Sequence, residues 1–192
     1  VLEMPLERVV VYPGSFNPVH EGHVGLMEAA ARKMGGRVEV VYEISVRNAD
    51  KPGLTVEEVE SRLRLFNAKK LPVVITNAPL FGDKASLFPR CVFVVGVDTA
   101  VRIVDPKYYP AAPASKTLGG VLEGLRAAGT RFVVGGRVRG ASREGGEEVF
   151  ETMADVEGKV PEGYREMFVG LSEEEFRADI SSTMIRNRQA KV

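Results

Sequence analysis

Both histidines of the chain fall within ten residues, Gly14-Ser15-Phe16-Asn17-Pro18-Val19-His20-Glu21-Gly22-His23. Gly14 would let the backbone approach a phosphate closely, Pro18 would fix the loop, and a helix beginning near Gly22 would aim unpaired N–H groups outward. An anion suits such a place. His20 and His23, three apart at a helix start, can both turn towards it and donate hydrogen bonds to non-bridging phosphate oxygens. Donors of this kind act most strongly where charge builds up in a transition state. Two plainer readings compete. An H-x-x-H pair could bind metal, although helical metal pairs are usually spaced by four and no Cys/His/Asp/Glu set completes this one. The stretch could also be an ordinary strand-to-helix turn with two solvated histidines.

A second cluster stands near the carboxyl end: Asp179-Ile180-Ser181-Ser182-Thr183-Met184-Ile185-Arg186-Asn187-Arg188. Hydroxyl residues just before an apolar-periodic stretch are helix N-cap signals, and a cap followed by a solvated basic helix is the plain reading. Capping needs one hydroxyl, however, and three stand here in a row with Arg186 one turn later. That grouping suits a second phosphate held by helix N–H groups, hydroxyls and a guanidinium.

The elements that must position these clusters follow from periodicity. Arg8 to Tyr12 is a β-branched run broken by Pro13-Gly14; Gly22 to Met34, rich in Ala and Met, is a helix stopped by Gly35-Gly36; Arg37 to Ser45 is a second strand. From Thr55, Val56, Val59, Leu63 and Phe66 recur at steps of three and four, with Glu57, Glu58, Glu60, Arg62 and Arg64 on the other face. Val73 to Thr76, Cys91 to Val97 and Arg131 to Val134 are three further strands, the last two separated by a helix through Leu118, Val121, Leu122 and Leu125. Strands alternating with helices imply parallel pairing, and near-continuous apolar strands imply a sheet covered on both faces. The predicted class is α/β, a Rossmann-like doubly wound parallel sheet, in a single domain over residues 1–192. Ligands of such sheets bind beyond the carboxyl ends of the strands, after Tyr12, Ser45, Val97 and Val134. Arg137 to Glu148, rich in Gly and Glu, is expected to be a mobile surface loop.

Composition narrows the partners. Lys plus Arg and Asp plus Glu are both 26, so no global cationic field gathers nucleic acid or an anionic membrane. The single cysteine, Cys91, lies in an apolar run and reads as a buried strand residue in a reducing compartment. No run has the length of a membrane span. A cytoplasmic protein is expected, with a removed targeting segment left open by the first residue, Val1, and a homo-oligomer left open as well.

Residues 14–23 resemble the T/H-x-G-H signature of the nucleotidyltransferase superfamily of nicotinate and nicotinamide mononucleotide adenylyltransferases, pantetheine-phosphate adenylyltransferase and phospho-alcohol cytidylyltransferases. Residues 180–186 resemble its second signature, I-S-S-T-x-I-R, at every fixed position. The resemblance runs from Val9 to Arg188. It implies catalytic roles for His20, His23 and Arg186 on the phosphates. It also implies nucleotide contacts from Gly14, Ser15, Phe16, Asn17, Ile180, Ser181, Ser182 and Thr183, and from Arg137, where a solvated loop arginine competes. Gly96-Val97-Asp98 resembles the family's Gly-x-Asp, which would put Asp98 at the acceptor pocket; an N-cap role for the next helix is the alternative. Lys51 falls where the pyridine-mononucleotide enzymes place a substrate-loop lysine. Ser15 and Asn17 stand where bacterial relatives usually carry Thr and Asp, and are nearer the eukaryotic and archaeal-like branch. Asp105 to Tyr109 resembles a cytidylyltransferase-like group. The implied activity is transfer of AMP from ATP, with Mg²⁺, to nicotinamide or nicotinate mononucleotide, as in NAD biosynthesis. A CTP-dependent transferase acting on a phosphorylated alcohol, or a nucleotide sensor with little turnover, are the alternatives.

Overall fold

Val9, Val10, Val11 and Tyr12 are all buried, and their side chains alternate between two cores, Val9 and Val11 into one, Val10 and Tyr12 into the other. A strand with no polar face needs cover on both sides. The computed structural model describes residues 9–35, 37–47, 52–110, 113–139 and 149–189. Their order begins β1 (Val9–Pro13), α1 (Glu21–Met34), β2 (Glu39–Ser45), α2 (Val56–Ala68), β3 (Val73–Thr76), α3 (Phe81–Leu87) and β4 (Val92–Gly96). It continues α4 (Val97–Ile103), α5 (Leu118–Ala127), β5 (Arg131–Gly135), β6 (Arg137–Arg139), β7 (Val149–Glu151), α6 (Met153–Val156), β8 (Phe168–Gly170) and α7 (Ser182–Gln189), with short 3₁₀ turns between some of them.

Six strands form one sheet in the order β3-β2-β1-β4-β5-β8, every neighbouring pair parallel. The chain builds outward from β1 on one side, then returns to β1's other edge with β4. The carboxyl ends of β1 and β4 therefore flank the switch point where such sheets bind ligands. This is the doubly wound α/β fold expected from the sequence. One core holds Phe93, Phe132 and Phe168 as a stacked series, with centroids 5.9 and 4.8 Å apart and Phe81 edge-on. Each such ring contributes on the order of 2–3 kcal/mol by burial. The other core lies under α1 and α2. There α1 comes so close to β5 that a Cβ on Gly135 would stand 2.5 Å from Leu26. The glycine leaves room for the Leu26 side chain against the backbone of β5 and so favours this close seat of α1.

Four expectations need correction. In α2 the inner face has Arg62 and Phe66 buried and Val59 and Leu63 half-buried, while Val56 is exposed in the first turn. Arg62 belongs to the inner face because its long stem reaches back over the preceding turn. Val97 does not extend β4 but opens α4, since Gly96 is that helix's N-cap. Arg137–Arg139 is not loop but strand β6, paired antiparallel with β7; residues 140–148 lie outside the described residues. Finally β8, α3 and α4 went unread, being three, seven and seven residues long, too short to show a period. Cys91 is buried, immediately before β4.

Candidate active site

Where β1 ends, the Gly14 N–H donates to the Glu43 carbonyl at 2.9 Å, tying the loop to the neighbouring strand. Phe16 takes a left-handed backbone (φ 43°) and turns its ring inward beneath the loop. A Cβ on Gly14 would meet that ring at 2.7 Å. The ring packs edge-on against Tyr12, Phe66 and Tyr42 at 5.2, 5.3 and 5.4 Å and against His23 at 4.9 Å. Phe16 thus supports the loop from the core, and only its backbone is left to meet a nucleotide. Ser15 and Asn17 are exposed and line the cleft described below.

His20 caps α1 and is 8% exposed; its ring stacks on His23 with centroids 3.7 Å apart. His23 Nδ1 accepts the His20 backbone N–H at 3.2 Å. That bond fixes the tautomer, leaving the proton of a neutral His23 on Nε2, free to donate. His20 Nδ1 is buried with no partner among the described residues. Burial, and then the neighbouring His20, push the His23 pKa down to about 3; burial also lowers that of His20, against the smaller opposing pull of Glu21. Both rings are neutral donors at pH 7.

That neutrality has a measurable consequence for stability. Between pH 6.5 and about 3 the unfolded chain binds a proton on His23 that the folded chain refuses, so stability is full above this window and falls as pH drops through it. From pH 6.5 to 5 the expected loss is about 2 kcal/mol, and His20 adds loss of the same sign. Urea midpoints at several pH values, compared between wild type and His23→Asn, check this: the variant should show a flatter acid limb, and equal limbs would refute the assignment.

Helix α7 carries the second cluster to the same place. Ser181 Oγ accepts the Met184 N–H at 3.2 Å, so this hydroxyl is the cap that the plain reading expects. Ser182 Oγ donates to the Pro18 carbonyl at 2.9 Å, across 164 residues of sequence. Arg186 donates through Nη1 to the Asn17 carbonyl and through Nη2 to Thr183 Oγ1, the latter at 3.0 Å. Ile180 sits over Gly22, where a Cβ would fall 2.9 Å from Ile180 and 3.1 Å from the His20 ring. Of the three hydroxyls, one thus caps the helix, one holds it on the loop and one accepts from Arg186, and the first N–H groups of α7 have no intrahelical acceptor.

Asp98 and Arg137 form an ion pair with one another, both about half exposed, beyond the ends of β4 and β5. Asp98 is the second residue of α4, and Gly96 is the cap, so the N-cap alternative for Asp98 does not hold. Neither residue lines the cleft. Lys51 lies outside the described residues; Pro52, Gly53 and Leu54 after it line the cleft, held where the Leu54 N–H meets the Val46 carbonyl at 2.8 Å.

The cleft, of about 1210 Å³, runs from Gly14, Ser15, Asn17 and Arg186 past the carboxyl ends of β2 and β3 to Tyr108 and Tyr109. Its wall holds a constellation that sequence reasoning missed. Glu43 (0% exposed) receives Lys84 Nζ on both carboxylate oxygens, at 2.9 and 2.7 Å, and the Thr76 hydroxyl on one; Lys84 (5% exposed) also reaches the Ala78 carbonyl at 2.7 Å. A glutamate inside Val40-Val41-Tyr42-Glu43-Ile44 was the available signal, because a strand covered on both faces buries a charge only with a partner. Among the described residues no group of three or more His, Cys, Asp or Glu side chains is placed to hold a metal ion, and no helix is long and apolar enough to cross a membrane.

A family model described as cytidylyltransferase-like matches residues 11–188. A Schizosaccharomyces pombe protein provisionally named nicotinamide mononucleotide adenylyltransferase is 33% identical over 120 residues, covering 56% of this chain and 47% of that protein. Phosphopantetheine adenylyltransferases of Mycoplasma capricolum and Clostridium novyi are 27% identical over 105 residues and 40% over 59. Those matches cover 53% and 31% of this chain and 73% and 33% of the relatives. The chain thus spans about half the length of the fission-yeast relative.

Proposed function

Because the chain belongs to the cytidylyltransferase-like family, we propose that it moves AMP from ATP onto nicotinamide or nicotinate mononucleotide and releases pyrophosphate. The observation that carries this reading is the junction of the two clusters. Ser182 and Arg186 bond to the backbone of Pro18 and Asn17, so the α7 N-terminus and one guanidinium are held against the loop that leads into the two stacked, neutral histidines. Such a junction suits a triphosphate. The fission-yeast relative's name supports the pyridine acceptor.

In the reaction an acceptor phosphate oxygen attacks the α-phosphorus of ATP in line. The bond from that phosphorus to the bridging oxygen breaks, and pyrophosphate leaves with the electron pair. No proton needs to be removed from an ionised phosphate, so neutral histidines suffice: they donate to the oxygens on which charge grows. Arg186 neutralises the leaving phosphates. Magnesium enters as part of the substrate, MgATP, because it keeps waters and phosphate oxygens as ligands and needs few carboxylates.

The test measures pyrophosphate release with Mg²⁺ for ATP and CTP, each crossed with nicotinamide mononucleotide, nicotinate mononucleotide, phosphopantetheine and phosphocholine. Release with ATP and a pyridine mononucleotide is expected. Release only with CTP, or only with phosphopantetheine, would replace the reading with the corresponding transferase.

A further inference from the structure

Arg62 is 7% exposed and lines the cleft. An arginine is almost never buried to that degree without partners for its five donors. Its ion pair in the structure is with Glu58, at 3.8 Å, beyond hydrogen-bonding distance. Glu58 is itself committed elsewhere: its other carboxylate oxygen accepts the Thr55 N–H at 2.9 Å while its own N–H meets Thr55 Oγ1 at 3.2 Å, the reciprocal cap of α2. Burial lowers the Arg62 pKa and Glu58 opposes that only in part, as for a cation short of a counter-charge.

Position says where the missing anion comes from. Phe66, one turn further along α2 on the same face, touches Phe16 and Tyr42 at 5.3 Å each. Arg62 therefore stands one turn closer to the helix start, towards the loop at Gly14 and Ser15, which share the cleft with it. Ser45, the last residue of β2 and a lining residue of that cleft, has a buried hydroxyl with no partner among the described residues. Among the described residues, a buried guanidinium without a hydrogen-bonded counter-charge and a buried hydroxyl without a partner thus stand in one cleft wall.

We infer that Arg62, assisted by Ser45, binds the phosphate of the acceptor and holds it against the β1 loop for attack on the nucleotide. The inference rests on the proposed function only for the molecule that bears this phosphate. A guanidinium grips the phosphate through two parallel N–H bonds, which orients it as well as attracting it. This adds a positioning role from α2, a helix outside both sequence clusters.

The experiment fills the nucleotide pocket with α,β-methylene-ATP and Mg²⁺, titrates inorganic phosphate, and follows the Arg62 Nε–Hε resonance. Wild type should show a saturable shift. Arg62→Gln should weaken phosphate binding about 10-fold or more, and Arg62→Lys, which keeps the charge but not the fork, by a smaller factor. The same variants should raise KM for the acceptor and leave that for ATP unchanged. No saturable shift at Arg62 in wild type, or equal phosphate affinity in a folded Arg62→Lys and Arg62→Gln, overturns the inference. The titration uses no pyridine mononucleotide, so a shift without turnover on those compounds sinks the acceptor's identity and leaves the subsite standing.

Discussion

His23→Ala should lower kcat by about 10²–10³-fold while ATP binding persists, the loss expected for removing one preorganised donor from the developing charge. The ring's Nδ1 is already used by the His20 N–H, so the Nε2 proton is the one that alanine removes from the reaction. The substitution also strips an N-cap acceptor and the edge contacts with Phe16 and Tyr12, and should cost about 1–2 kcal/mol of stability. A thermal melt separates the two effects, because a folded variant with lost turnover isolates the chemistry. His23→Asn, whose amide can both accept and donate, should lie between wild type and alanine. A folded His23→Ala enzyme turning over within a few-fold of wild type would remove His23 from the mechanism.

The largest effect on stability is expected at the cleft wall. Lys84→Met leaves Glu43 fully buried with only the Thr76 hydroxyl, and breaking such a pair from one side costs about 3–5 kcal/mol. Removing both charges, as in Glu43→Gln with Lys84→Met, should recover much of that loss, since the penalty belongs to the uncompensated charge and not to the missing attraction. Urea unfolding of the two single variants and the double variant closes the cycle. If the double variant is as unstable as the sum of the singles, the pair is not coupled and the buried-charge account fails.

The unequal legibility of this chain has a physical pattern. β1, α1 and the loop between them could be read because local rules agree there: a β-branched run, Pro-Gly punctuation, an Ala-rich helix, histidines at its start. The same holds for Ser181 and the helix it caps. Arg62 was placed on the wrong face because periodicity treats a charged residue as outward-facing and cannot see a stem folding over the preceding turn. Glu43 and Lys84 are 41 residues apart and meet only through the pairing of β2 with β3 and the return of α3, so no window contains their signal. Asp98, read as an acceptor-pocket residue with a helix cap as the alternative, serves as neither among the described residues: Gly96 is the cap, and the Asp98 carboxylate faces Arg137 outside the cleft lining.

The bonds between α7 and the Gly14–His23 loop bear on the order in which the protein matures. β8, the final strand of the sheet, ends at Gly170, and α7 begins twelve positions later at Ser182. During vectorial synthesis every sheet strand among the described residues therefore leaves the ribosome ahead of Arg186. The sheet and the two histidines at the start of α1 can thus be in place before Arg186 and the α7 N-terminus reach the loop between them.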